Sequence, residues 1–133
     1  MRNSEILLVE DNAADVRLTQ EILRKSAPAC HLSVARDGEQ AMRMLRREGD
    51  FHDQPVPDLI LLDLNLPVLD GLEVLERLKA GPGLARIPVI VLSAYESISA
   101  AQRSLEAGAH AFVEKTTRSE VLLGTIAAVL GGA

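Results

Sequence analysis

The chain has no tryptophan, one tyrosine (Tyr95) and two phenylalanines (Phe51 and Phe112), so only 2% of it is aromatic. A platform on which bases or a flavin ring stack is hard to build from so few rings. Cysteine is as scarce. Cys30 stands alone, which excludes an intrachain disulfide and fits a reducing cytoplasm. Basic residues are outnumbered, 14 Lys and Arg against 19 Asp and Glu, giving a formal charge of -5. That balance argues against direct contact with nucleic acid, because phosphate neutralisation needs clustered Lys and Arg. No apolar run is long enough to span a bilayer. The opening "MRNSEILLVED" has no apolar signal region followed by a small-residue cleavage site. The expectation is a cytoplasmic protein without a membrane partner.

What is present is ordinary in bulk and pointed in detail. Hydrophobic residues make up 47% and charged residues 25% of 133 residues, a size and balance typical of one soluble domain. Residues 1–133 show no internal repeat, low-complexity tract or linker, and read as a single domain without a separate output domain. Short leucine or β-branched runs alternate with longer stretches of helical period. "EILLV" (5–9), "HLSVA" (31–35), "DLILLD" (58–63), "IPVIVLS" (87–93) and "HAFVEK" (110–115) read as five strands. The third is apolar on both faces, as a central parallel strand should be. Between and after them, residues 13–25, 38–49, 71–80, 97–108 and 118–130 read as helices. Asn12 is a candidate N-cap, and Gly108 a candidate C-cap. Five β-α units in a row imply a doubly wound parallel α/β sheet with helices on both faces.

In such sheets the working crevice lies at the carboxyl ends of the strands. Strand one ends in Glu10 and Asp11, strand three in Asp63, strand four in Ser93 and strand five in Lys115; strand two ends in "ARD", which offers no matching group. Each residue alone has a bland explanation: a helix cap, a loop starter, a turn hydroxyl, a solvated charge. Their meeting on one edge of one sheet favours a site. Glu10, Asp11 and Asp63 would form an oxygen-only acidic pocket, the kind Mg²⁺ takes with several waters and a phosphate oxygen. Lys115 cannot neutralise three carboxylates, but it can clamp an added phosphate, and Ser93 can donate to the same group.

The motifs "LLVEDN", "DLILLDLNLPVLDG", "IPVIVLSA" and "AGAHAFVEK" together resemble the receiver domain of response regulators, the phosphoacceptor module of two-component signalling, over essentially the whole chain. The resemblance implies a flavodoxin-like sheet of five strands in the order 2-1-3-4-5 with five helices. It implies that Asp63 is the phosphorylated aspartate and that Glu10 and Asp11 are the acidic pair holding Mg²⁺. Asn65 matches the position whose backbone carbonyl binds the metal. Pro67 and Gly71 match the turn that starts the next helix, and Ala94 the small residue beside the phosphate. Ser93 matches the switch hydroxyl, Phe112 the aromatic switch and Lys115 the phosphate-binding lysine. The family usually follows that lysine with proline, often through a cis bond, whereas Thr116 follows Lys115 here. A non-proline cis bond costs roughly 3 kcal/mol, so either the loop runs trans and re-aims Lys115 or packing sustains the strain.

The implied chemistry is transfer of a phosphoryl group from a sensor histidine kinase to Asp63, followed by a change in the face formed by helix four, strand five and helix five. The domain is then no classical enzyme, although it assists its own phosphorylation and dephosphorylation. Three other readings compete. A small-molecule aspartyl-phosphate phosphatase would need a general acid where Asn65 stands. A flavin module would need a Ser-, Thr- and Gly-rich first turn in place of the acidic one. A degenerate scaffold would not need the intact acids. "LLVEDNAADVRLTQEIL", "VARDGEQAMRML" and "DLILLDLNLP" further resemble single-domain regulators that accompany bacterial phytochrome-type kinases. In the last helix, Leu122, Leu123, Ile126, Val129 and Leu130 share a core-facing side, while Val121, Ala127 and Ala128 extend the apolar surface and Glu120 is the one charge after Arg118. A solvated helix normally carries a charged outer face; either small residues merely soften an exposed surface here, or the chain forms a homodimer through helix four, strand five and helix five, as is common among the receivers it resembles, and the homodimer is the expectation.

Overall fold

A computed structural model describes residues 3–66, 69–93, 98–115 and 118–131. Pro67, Ala94 and Thr116, each singled out above, lie outside the described residues, and with Thr116 the geometry of the bond that follows Lys115. The elements are β1 (Glu5–Val9), α1 (Ala13–Ser26), β2 (His31–Ala35), α2 (Gly38–Arg46), β3 (Leu59–Asp63), α3 (Gly71–Ala80), β4 (Val89–Ser93), α4 (Ile98–Glu106), β5 (Ala111–Glu114) and α5 (Ser119–Gly131). All neighbouring strands are parallel, and the sheet order is β2-β1-β3-β4-β5, as expected.

Strand alternation explains how both faces are covered. Successive side chains of a strand point to opposite faces. Ile6 and Leu8, Leu59 and Leu61, and Ile90 and Leu92 join Val16 and Leu23 of α1 and Leu122 and Ile126 of α5 in one core. Leu7 and Val9, Ile60 and Leu62, and Val89 and Val91 join α2 and α3 on the opposite face. β3 and β4 are buried along their whole length, which requires a near-continuous apolar run.

The element ends follow local chemistry. Asn12 caps α1, its side chain accepting from the Asp15 amide at 3.0 Å. Gly108, with φ 110°, closes α4: its amide donates to Leu105, and that of Ala109 to Ser104. Several boundaries differ from the sequence expectation, mostly by one or two residues, and three have a plain local cause. β3 begins at Leu59, because Asp58 turns its carboxylate back to the Glu5 amide at 2.8 Å. β4 begins after Pro88, which has no amide for the ladder. α2 stops at Arg46, where Arg47 takes a left-handed φ of 57°, and one turn of 3-10 helix follows over Gly49–Phe51. Among the described residues, no helix is long and apolar enough to cross a membrane.

Candidate functional site

Register builds the site. β1 pairs with β3 from Ile6↔Leu59 to Val9↔Leu62, so the next residue on each strand is Glu10 and Asp63. β1 is flanked by β2 on one side and β3 on the other, so this is the point where the strand order reverses and a crevice opens. Glu10 and Asp63 are 1% and 2% exposed, while Asp11 is solvent-facing at the rim. One carboxylate oxygen from each of Glu10, Asp11 and Asp63 lies within 4.8 Å of the others. The three acids that the sequence placed at one sheet edge therefore converge.

Backbone donors aim the buried acids. The Asp63 Oδ1 accepts from the Asn65 amide at 3.1 Å, and Glu10 Oε2 accepts from the Asn12 amide at 3.3 Å. The loop after β3 is drawn in by the Gly71 amide, which donates to the Leu64 carbonyl at 3.0 Å. A side chain at Gly71 would not fit: its Cβ would stand 2.4 Å from the Asp63 carbonyl oxygen and 2.5 Å from the Leu64 Cα. The matched role of Gly71 in starting α3 thus has a steric basis beside Asp63.

Lys115 reaches the site from the end of β5. Its amide donates to the Ser93 carbonyl at 2.7 Å, tying it to the end of β4. Its ammonium lies 2.7 Å from Glu10 Oε1, 2.9 Å from Asp15 Oδ2 and 3.0 Å from Asp63 Oδ2. Burial works against the charged lysine, but the hydrogen bonds to these three carboxylates outweigh it and hold its pKa above the ordinary value. Glu10 moves the other way from a normal acid. Burial pushes its carboxyl up to about 7, the neighbouring Asp63 adds to the rise, and Lys115 only partly offsets it. One ammonium is thus shared among more carboxylates than it can neutralise. An oxygen-only donor set under that electrostatic load suits a hard divalent cation and fits neither sulfur- nor imidazole-seeking metals.

Ser93 is buried at the end of β4, and Phe112 is half-buried against the α2–α3 face of the core. Asn65 is exposed in the loop after β3. Asp15 was not among the sequence-derived site residues. An acid in the first turn of a helix reads as a response to the helix dipole, yet α1 starts directly after the acidic pair and its first turn brings Asp15 to the Lys115 ammonium. Cavities flank the site. One of about 560 Å³ opens between α1 and α5 beside Glu10, Asp15 and Lys115. Another of about 320 Å³ is bounded by Asn65, Asp70, Ser93 and Arg103.

Known proteins are similar to this chain in sequence and in fold. Response regulator Rcp1 of Synechocystis sp. is 53% identical over 88 residues, which is 66% of this chain and 60% of Rcp1. Response regulator PleD of Caulobacter vibrioides is 33% identical over 93% of this chain, a stretch that spans 25% of PleD. The crystal structure of the phosphorylated cyanobacterial phytochrome response regulator RcpA superposes with a TM-score of 0.89 at 40% identity, covering 98% of this chain and 96% of that one. The Mn²⁺-bound form of Rcp1 gives a TM-score of 0.81 at 41% identity, covering 96% and 90%. The model of the response regulator receiver domain matches residues 6–127. With that match running from within β1 through β5 and including the acidic crevice between β1 and β3, the chain belongs to the response regulator receiver domain family.

Proposed function

We propose that Asp63 accepts a phosphoryl group from the phosphohistidine of a sensor histidine kinase of the phytochrome type, with Mg²⁺ held by Glu10, Asp11, Asp63 and the backbone carbonyl of Asn65. The observation that carries this reading is the meeting of the three carboxylates within 4.8 Å at the end of the central strand, with the Lys115 ammonium 3.0 Å from Asp63. The phosphorylated RcpA and the Mn²⁺-bound Rcp1 support it by likeness.

A carboxylate oxygen of Asp63 attacks phosphorus, the bond to the histidine nitrogen breaks, and an acyl phosphate forms. When bound, Mg²⁺ supplies neutralisation of charge on the transferring phosphoryl oxygens. Lys115 turns the donor that faces Asp63 from carboxylate to phosphoryl oxygen. The Ser93 hydroxyl is drawn toward the new group, and Phe112 takes up the space it leaves. Through β4 and β5 this alters the face formed by α4, β5 and α5. The same site assists hydrolysis of the acyl phosphate, so the domain sets the lifetime of its own signal. Acetyl phosphate with Mg²⁺ tests the reading: intact mass should rise by one phosphoryl group, and chelation of the metal should prevent it. A chain that gains no mass under these conditions contradicts it.

The metal assignment has its own test. Asp11 is exposed, so it contributes to an open site that keeps several waters and binds weakly without phosphate. Calorimetry should show Mg²⁺ affinity falling by about tenfold in Asp11→Ala, in the range that loss of ligand-orienting groups produces. Equal affinity in parent and variant removes Asp11 from the ligand set.

We further infer a homodimer through the face of α4, β5 and α5. Leu122 and Ile126 of α5 are buried and Leu123, Val129 and Leu130 half-buried, which leaves Val121 outward at 47% exposed. Gly124, Ala127 and Ala128 share the exposed side, and Leu105 of α4 is 49% exposed. A two-fold axis would place each such patch against its own copy. Val121→Glu should then bring the sedimentation mass of a concentrated sample down to that of a monomer. A parent that is monomeric at high concentration, with and without a phosphoryl mimic, contradicts the dimer.

A further inference from the structure

We propose that Asp15 is a positioning residue for phosphorylation, acting through Lys115: it tethers the lysine ammonium over the acceptor while the other carboxylates are claimed by metal and phosphoryl. The inference rests on the phosphoacceptor reading of Asp63.

An ammonium has three donors. In this structure they meet Glu10, Asp15 and Asp63 at 2.7, 2.9 and 3.0 Å. Two of those partners are acids of the metal cluster, and one of them is the acceptor itself. During transfer their oxygens turn to other work. Asp15 is outside the cluster, and it is the partner that neither metal nor phosphoryl takes. Its place is fixed independently of the pocket. It lies in the first turn of α1, where its amide donates to the Asn12 cap at 3.0 Å.

Packing does not hold the lysine instead. A cavity of about 560 Å³ lies along the Lys115 side chain, walled by apolar residues of α1 and α5 such as Leu18, Ile22 and Leu122. The apolar walls of that cavity offer the ammonium no polar partner, so its direction is set by its carboxylate contacts. An electrostatic tether from α1 keeps it facing Asp63. Sequence adds weight to the need for it, since the residue after Lys115 is threonine, without the fixed backbone angle of proline. Removing the tether misplaces a charge that stabilises the transferring group, and small misplacements of that kind are costly.

A double-mutant cycle separates this from a general effect on α1. With acetyl phosphate and Mg²⁺, Asp15→Asn should slow labelling of Asp63 by about tenfold. In a Lys115→Ala background, followed over a correspondingly longer time, the same change should have no further effect. A metal-free measurement stands beside it. The Lys115 side-chain ammonium should give a slowly exchanging NMR signal in the parent that broadens away in Asp15→Asn. An unchanged rate in Asp15→Asn, or equal slowing in both backgrounds, overturns the proposal, as does an ammonium signal indifferent to Asp15. A parent that takes no label at all instead defeats the phosphoacceptor reading, and the ammonium signal still decides whether the tether exists.

Discussion

Asp63→Asn should abolish phosphoryl addition altogether while the protein stays folded. An amide oxygen at this position is a poor nucleophile and forms no stable acyl phosphate, so the loss should be complete and not partial. The substitution is nearly isosteric, and Asn retains an oxygen to accept the Asn65 amide, now at 3.1 Å from Asp63 Oδ1. It also removes one buried carboxylate from beside Glu10, whose carboxyl is pushed up by burial and by Asp63. Relief of that repulsion offsets the weakened contact with Lys115, so the thermal midpoint should not fall. Intact mass after treatment with acetyl phosphate and Mg²⁺ should show one added phosphoryl on the parent and none on the variant. Label on a folded Asp63→Asn protein would place the acceptor elsewhere.

Gly71→Ala should destabilise the protein and slow its phosphorylation together. Helix propensity alone predicts the reverse, because alanine is favoured over glycine inside a helix by about 1 kcal/mol. Position 71 is the first residue of α3, and a methyl group there would meet the backbone of Asp63 and Leu64 at 2.4 and 2.5 Å. Backbone atoms cannot step aside as the end of a flexible side chain does. Forcing the helix away should cost about 1–3 kcal/mol, in the range for overpacking a tight contact. The atoms displaced carry the Asp63 side chain and the Leu64 carbonyl that accepts from Gly71. Denaturant unfolding should therefore show a lower midpoint, and the labelling rate should fall in the same sample. A variant more stable than the parent would mean that helix propensity outweighs the contact.

Much of this arrangement was legible in the sequence because its causes are local. The unbroken apolar runs of β1, β3 and β4 mark strands buried on both faces, and strand alternation divides their side chains between two cores. Asn12 before an apolar helical period marks the start of α1. The order β2-β1-β3-β4-β5 is different in kind. Alternating strands and helices imply parallel neighbours, but the adjacency of β1 and β3, and with it the meeting of Glu10 and Asp63, came from the family resemblance. The end of α2 was missed because Arg47 takes a left-handed conformation that a non-glycine residue does not advertise. Asp15 was missed for a related reason. Its contact with Lys115 joins residues one hundred positions apart, and a first-turn acid already has a sufficient local explanation.

The central claim is that the carboxylate of residue 63 itself carries the phosphoryl group. Acyl phosphates are reduced by borohydride to the alcohol, which converts a phosphorylated aspartate to homoserine and leaves free carboxylates untouched. Protein treated with acetyl phosphate and Mg²⁺, then reduced and digested, should yield homoserine at position 63 in the peptide containing "DLILLDLNLP", with Asp58 and Asp70 unchanged. Homoserine at any other acid, or at none while the intact mass still records an added phosphoryl, would contradict the account.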